Sequence, residues 1–165
     1  MIPKERLNII HTEIGRVIQD ATFMLAEPAT DQDATEGLSV EPHWAHISYS
    51  GSAEGNIYIC AGDELARTIA GNMLGTDGYD SLPPERVIDS FKELANILTG
   101  RMILLLYGRQ ALFRLSVPIY FRACPFEFNN MSDNVLMYNC EGMILNVILT
   151  VKEGDSFDKD KSIDS

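Results

Sequence analysis

Basic residues and cysteines are scarce in this chain of 165 residues. Only 13 lysines and arginines stand against 24 aspartates and glutamates, and the net charge is −11. The few basic residues are scattered, so the chain lacks the stripe of positive charge that tight binding to nucleic acid or an anionic membrane requires. The acidity indicates solubility and argues against polyanionic partners.

Long apolar runs and paired cysteines are also missing. No uninterrupted apolar segment approaches the ~20 residues that span a bilayer, and the N-terminal region lacks the apolar core and cleavage site of a signal peptide. Cys60, Cys124 and Cys140 are odd in number and show no CxxC spacing, which favours reduced, buried thiols. We therefore expect a cytoplasmic protein without a metal or cofactor of its own.

The overall composition is typical of one packed domain. Hydrophobic residues make up 45% of the chain and charged residues 22%, which excludes wholesale disorder and a fibrous fold. We predict a single domain over residues 1–151. Residues 152–165 are charged and nearly free of apolar side chains, which predicts an acidic, disordered tail.

Three segments show the three- and four-residue spacing of apolar residues that is typical of amphipathic helices. The first covers roughly residues 4–26. The second covers residues 63–75, where Asp63 can cap the helix start. The third runs from about residue 84 to 107, because proline is tolerated in a first helical turn and Gly108 can end the helix.

Alternating apolar and polar residues predict strands, and an acidic surface loop over residues 28–42 precedes them. The strands are expected at residues 45–50, 57–60, 113–117, 135–138 and 143–151. The first two form a hairpin around Gly51 and Gly55, and the third ends at Pro118. The order predicts an α+β domain with a mostly antiparallel sheet and long helices packed on it, built as a loose helix-plus-hairpin duplication.

One face of the third helix carries a narrow polar stripe. At 3.6 residues per turn, Asp89, Glu93, Asn96 and Gly100 lie within about 60° of one another. The apolar residues lie on the opposite side, so burying them turns the acid and the amide toward solvent. These apolar residues are Ile88, Phe91, Leu94, Ala95, Leu98, Met102 and Leu105. The E-x-x-N spacing alone is too common to mark a site.

The stripe and the sequence around it resemble the signature of a known family. Asp89, Glu93 and Asn96, with Pro118 some 22 residues later, are similar to the D/S-x3-E-x2-N signature and downstream proline of the CheC, CheX and FliY phosphatases. Residues 70–75 resemble the helix end before that signature, and residues 51–60 resemble the family's first hairpin. The resemblance therefore extends over most of the chain.

The resemblance implies a phosphatase for the aspartyl-phosphate of a CheY-like response regulator. The regulator holds this acyl phosphate with Mg²⁺, so hydrolysis needs mainly a water in line with the P–O bond. Asn96 can orient that water without repelling the phosphoryl oxygens. The resemblance implies that Glu93 pairs with the regulator's active-site lysine, and a role as general base ranks lower.

Three further residues are expected at the partner interface by the same resemblance: Asp89, Gly100 and Pro118. Gly100 either admits the partner's backbone or serves helix packing. On the first helix, two-site relatives carry a second signature around the position of Glu13, but Ile9 and Arg16 replace its first polar residue and its asparagine. We therefore predict one active helix per chain, as in CheX, and the resemblance implies a homodimer.

Other functions remain open. A non-catalytic module could bind a response regulator or a flagellar-switch component through the same face, and residues 135–151 could supply a sheet edge for self-association. His43 and His46 have a spacing that could hold a metal, but no further ligand completes a zinc site. Phosphate-binding glycine loops and nucleophilic-serine motifs are absent from the sequence.

Overall fold

The computed structural model describes residues 2–30, 41–122 and 134–152, in which helices pack on one face of an antiparallel sheet. The helices are α1 (Lys4–Thr22), α2 (Asp63–Leu74) and α3 (Pro84–Tyr107). The strands are β1 (Ala26–Pro28), β2 (His43–Gly51), β3 (Gly55–Ala61), β4 (Phe113–Leu115), β5 (Ile119–Phe121), β6 (Val135–Cys140) and β7 (Met143–Val151). The predicted α+β class is confirmed. None of the described helices is long and apolar enough to cross a membrane.

The sheet has the order β1-β6-β7-β3-β2-β4, with β5 also pairing with β2. Strands β3 and β7 form the centre. The β2–β3 hairpin is extended by β4 and β5, which follow α3 in the chain, and the β6–β7 hairpin is extended by β1, which follows α1. Strand β1 of the first helix-plus-hairpin unit thus pairs with the hairpin of the second unit, and β4 and β5 of the second unit pair with the hairpin of the first. This exchange agrees with a duplicated architecture.

The sheet order corrects one alternative from the sequence. The sequence left open that residues 135–151 supply a sheet edge for self-association, but β7 lies between β3 and β6. Strand β1 covers the outer side of β6 at Tyr138, Asn139 and Cys140. Among the described strands, the outer ones are β1 on one side and β4 with β5 on the other.

Helix α1 is shorter than the sequence predicts. It ends at Thr22, where Phe23 takes a left-handed conformation with φ 56° and donates its N–H to the Gln19 carbonyl. Residues 26–28 then pair with β6 as strand β1. The apolar spacing that continues to residue 26 is misleading, because Ala26 is buried by a strand pairing that no local pattern reveals. Most of the predicted loop, residues 31–40, lies outside the described residues.

The predicted strand at 113–117 is interrupted before Pro118. Strand β4 ends at Leu115, and β5 begins at Ile119 on the same partner strand. Ser116 bridges the gap, since its N–H donates to the Ser48 carbonyl and its hydroxyl accepts from the Ser48 N–H. Proline has no N–H to give to a ladder, which explains the break.

The main core lies between the helices and the sheet and includes the fully buried Ile10, Ile14, Ile18, Ile47, Ile59, Leu94, Leu98 and Val147. Cys60 and Cys140 are buried thiols, as predicted, and burial raises the pKa of Cys140 to about 12. Such a thiol is protonated and unreactive near neutral pH. Cys124 and the predicted tail beyond residue 152 lie outside the described residues.

Candidate functional site

Helix α3 supplies a rigid support for the predicted stripe. It begins and ends as the sequence predicts, with Pro84 in its first turn and Gly108, at φ 81°, donating its N–H to the Leu104 carbonyl. The guanidinium of Arg6 on α1 donates to the Leu106 carbonyl at 3.4 Å. A cation there complements the negative end of the helix dipole.

The apolar side of α3 faces the core as predicted. Phe91, Leu94 and Leu98 are fully buried. Ala95, Met102 and Leu105 are also buried, and Ile88 is half-buried. This packing fixes the rotation of α3 about its axis, so the opposite stripe has a defined direction.

The stripe faces solvent. Asp89 and Glu93 are exposed, and Asn96 is half-buried. Within the described part of the chain, these three side chains make no hydrogen bond or ion pair. A carboxylate and an amide one turn apart are therefore available to another molecule.

Gly100 lies on the same exposed face, one turn after Asn96. A Cβ atom built at Gly100 would meet nothing within 4 Å, so close helix packing does not explain a glycine at this position. Gly71 on α2 is different, because a Cβ there would overlap the ring of Tyr79. The open space at Gly100 leaves room for a partner to approach the backbone of α3.

Pro118 belongs to a different surface element. It is half-buried between β4 and β5 at the outer edge of the sheet, whereas the other four predicted site residues share α3. The structure thus joins Asp89, Glu93, Asn96 and Gly100 in one stripe and sets Pro118 on a separate strand edge.

The corresponding positions on α1 are occupied differently. Ile9 is 44% exposed, and Glu13 forms ion pairs with Arg16 and with Arg101 of α3. The Glu13 carboxylate is therefore engaged within its own chain. The sequence pattern did not reveal Arg101, because its ion pair depends on how α1 packs against α3.

The two histidines lie on opposite faces of β2. The Nε2–H of His43 donates to Asp63 at 2.8 Å, and the Tyr120 hydroxyl donates to its Nδ1 at 2.7 Å. His46 instead contacts the Asn56 side chain at 2.8 Å. Successive strand residues point to opposite faces, and His43 and His46 are an odd number of residues apart, so these histidines do not share a metal. The described residues contain no group of three or more histidine, cysteine or acidic side chains arranged for a metal ion.

Asp63 does not cap α2 as predicted. Gly62 occupies the N-cap position, and Asp63, the first helical residue, binds Arg67 as well as His43. The hydrogen bonds from Arg67 and then His43 lower the pKa of Asp63, and burial lowers the pKa of His43. This network connects α2, β2 and β5.

The stripe is an exposed face of α3. A groove of about 420 Å³ lies elsewhere, near the end of the β2–β3 hairpin, where Ser48, Ser50, Asn56 and Thr150 line it. Sites for small molecules are usually concave and enclose most of the ligand. An exposed helix face instead suits a macromolecular substrate that supplies its own pocket.

The chain belongs to the CheX family, because the family model described as chemotaxis phosphatase CheX matches residues 44–141, more than half of the chain. No curated protein sequence matches the chain at a significant level.

Solved structures share the fold over nearly the whole chain. A CheX from Desulfovibrio desulfuricans has a TM-score of 0.66 at 13% identity, covering 90% of this chain and 99% of its own. A CheX from Vibrio vulnificus has a TM-score of 0.67 at 17% identity, covering 90% and 97%. The CheX–CheY–BeF3–Mg²⁺ complex from Borrelia burgdorferi has a TM-score of 0.59 at 18% identity, with the same two coverages.

Proposed function

We propose that this protein hydrolyses the aspartyl-phosphate of a CheY-like response regulator. The observation that carries the proposal is the placement of Glu93 and Asn96, one turn apart and unpaired among the described residues, on the outward side of a helix whose other side is buried. Family membership supports the reaction class, and the Borrelia complex shows that a relative binds CheY.

Asn96 is proposed to orient the attacking water. In the reaction, a new P–O bond forms to water while the bond between phosphorus and the aspartyl oxygen breaks, which yields inorganic phosphate and a free aspartate. An amide can accept a hydrogen bond from the water and donate another, whereas a carboxylate would repel the phosphoryl oxygens. The Mg²⁺ that offsets phosphoryl charge is part of the regulator and therefore of the substrate.

Glu93 is proposed to anchor the partner. An exposed carboxylate next to the water-orienting amide can pair with the lysine of a receiver's active site and so fix the direction of Asn96. Asp89 and Gly100 extend the same contact along α3. Pro118 lies on the sheet edge proposed below for the dimer, so it is proposed to contact the receiver beside that dimer interface. We propose no cofactor for the phosphatase itself.

The assembly is proposed to be a homodimer formed through the outer edge of β4 and β5. Short edge strands leave backbone groups that a second chain can pair with. This edge also carries exposed apolar side chains, with Leu112 and Val117 each 81% exposed and Ile119 55% exposed. A second copy of the chain would remove this surface from water.

The proposal is tested with a panel of purified CheY-like receiver domains, each phosphorylated and incubated with the protein. We expect faster release of inorganic phosphate from at least one receiver, with turnover. The alternative, a non-catalytic binding module, predicts complex formation with a receiver but decay of the phosphate at its uncatalysed rate. That outcome would reject the phosphatase assignment.

A further inference from the structure

The boundary between α1 and α3 carries a charge cluster that the reaction proposed above leaves unused. We call Glu13, Arg16 and Arg101 the seam cluster. Arg101 lies 3.4 Å from the Glu13 carboxylate across the two helices, and Arg16 pairs with Glu13 within α1. The side chain of Glu13 is 25% exposed, whereas those of Arg16 and Arg101 are 66% and 40% exposed. The guanidinium groups therefore face solvent, with one positive charge in excess.

The seam cluster lies beside the stripe. Arg101 follows Asn96 by five residues, which places it about 7.5 Å further along the helix axis and about 140° around it, on the side that faces α1. Gly100 lies between them with open space in front of its backbone. Because both guanidinium groups reach solvent at the boundary between α1 and α3, we infer that a protein large enough to cover α3 from Asn96 to Gly100 also meets the seam cluster.

The partner of the proposed reaction is oppositely charged at this position. Protein-bound Mg²⁺ is usually held by one or two carboxylates and by phosphate oxygens, so we expect an anionic rim around the phosphorylated pocket of a receiver. Asp89 and Glu93 repel such a rim except where a lysine meets them. The guanidinium groups of the seam cluster, which lie beyond Asn96 from Asp89 and Glu93 along the helix axis, offset this repulsion. The net charge of the whole chain is −11.

We propose that Arg16 and Arg101 bind the acidic rim of the receiver's phosphorylated pocket and thereby position its phosphoryl group over Asn96. This inference rests on the proposed phosphatase function. Both arginines are positioning residues, since neither needs to touch the reacting atoms. The family resemblance places Arg16 where two-site relatives carry an asparagine, and in this proposal α1 docks the receiver instead of forming a second site.

A purely structural role is the competing explanation, because Glu13 and Arg101 also join α1 to α3. Glu13→Gln distinguishes the two. It removes the link between the helices but leaves both guanidinium groups in place and raises the net positive charge of the cluster. Docking predicts an unchanged or lower KM for the phosphorylated receiver, whereas a structural link predicts a higher KM together with a lower melting temperature.

The experiment measures kcat and KM for the receiver that the panel identifies, at low and moderate salt. We expect KM to rise about threefold for Arg16→Gln and about tenfold for the double variant with Arg101→Gln, while kcat stays within about twofold. The rise of KM with salt should be smaller in the double variant. Lys4→Gln removes one positive charge from an exposed position in the first turn of α1, about 13.5 Å along the helix axis from Glu13, and should leave KM unchanged.

Binding to a receiver activated with beryllofluoride and Mg²⁺ separates this inference from the proposed function. If wild type binds but does not dephosphorylate, the phosphatase assignment fails while the ratio of Kd values still tests the seam cluster. An equal Kd for wild type and the double variant, with equal melting temperatures, would overturn the docking role. Failure to bind any activated receiver would overturn both.

Discussion

Single glycines on neighbouring helices have opposite surroundings, and this predicts opposite effects of adding one methyl group. Gly71→Ala places a Cβ into the ring of Tyr79, whose hydroxyl donates to Asn72. We expect a loss of about 1–3 kcal/mol in the free energy of unfolding, as for other overpacked sites. Gly100→Ala adds its Cβ to open space, so better helix propensity should stabilise the protein by up to about 1 kcal/mol.

Urea unfolding of both variants checks this prediction. A stabilised Gly71→Ala would show that the contact with Tyr79 is unimportant. If Gly100 admits a partner's backbone, Gly100→Ala should also weaken binding to an activated receiver despite its greater stability. Stability and binding then change in opposite directions at one residue.

The lowered pKa of His43 predicts how the stability of the folded protein depends on pH. Burial lowers its pKa from the ordinary value of 6.5, the positive charges of Arg122 and Arg67 act in the same direction, and Asp63 opposes them. The unfolded chain therefore takes up a proton at a higher pH than the folded chain. The stability gained by keeping His43 neutral is complete above about pH 6.5 and is lost as the pH falls toward the folded-state pKa.

Melting temperatures measured between about pH 7.5 and 5.5 test the direction of this pH dependence. We expect the melting temperature of wild type to fall toward acid and that of His43→Gln to fall less. The lowered pKa of Asp63 acts below its ordinary value of 3.8 and so does not affect this window. Equal slopes for the two proteins would contradict the assignment.

At the scale of secondary-structure elements, α3 was predictable and β1 was not. Pro84 and Gly108 mark the ends of α3, and its apolar spacing identifies the buried face without tertiary information. Strand β1 has three residues and exists because β6 pairs with it. For the same reason, sequence patterns could place Glu93 and Asn96 on a stripe but could not find the ion pair between Glu13 and Arg101.

Adjacent residues of α3 test its orientation. Leu94 is fully buried, and Leu94→Ala should cost about 2–5 kcal/mol of unfolding free energy. Glu93 is exposed, so Glu93→Ala should change stability by less than about 0.5 kcal/mol while weakening binding to a phosphorylated receiver. Glu5→Ala, at an exposed position on α1, serves as the matched control for binding. A large loss of stability in Glu93→Ala would show that the rotation of α3 is misplaced.

At the scale of the whole molecule, the two units exchange strands, and this arrangement leaves β4 and β5 on an outer edge. The duplication could be anticipated from the order of the elements, but the exchange could not, since it depends on pairings between distant segments. If this edge forms the proposed dimer, the double variant Val117→Lys/Ile119→Lys should be monomeric by light scattering. Phe23→Lys changes another exposed apolar residue and should leave the mass unchanged.

The most direct test of the central claim is the decay of the identified phosphorylated receiver with a saturating amount of Asn96→Ala. Removing the water-orienting amide should slow dephosphorylation by roughly two or more orders of magnitude, comparable to the loss of an oriented catalytic group, while the receiver remains bound. Asn8→Ala truncates an exposed asparagine in another E-x-x-N sequence on α1. With this variant, the phosphorylated receiver should decay as fast as with wild type. If the phosphorylated receiver decays as fast with Asn96→Ala as with wild type, the proposed role of Asn96 is contradicted.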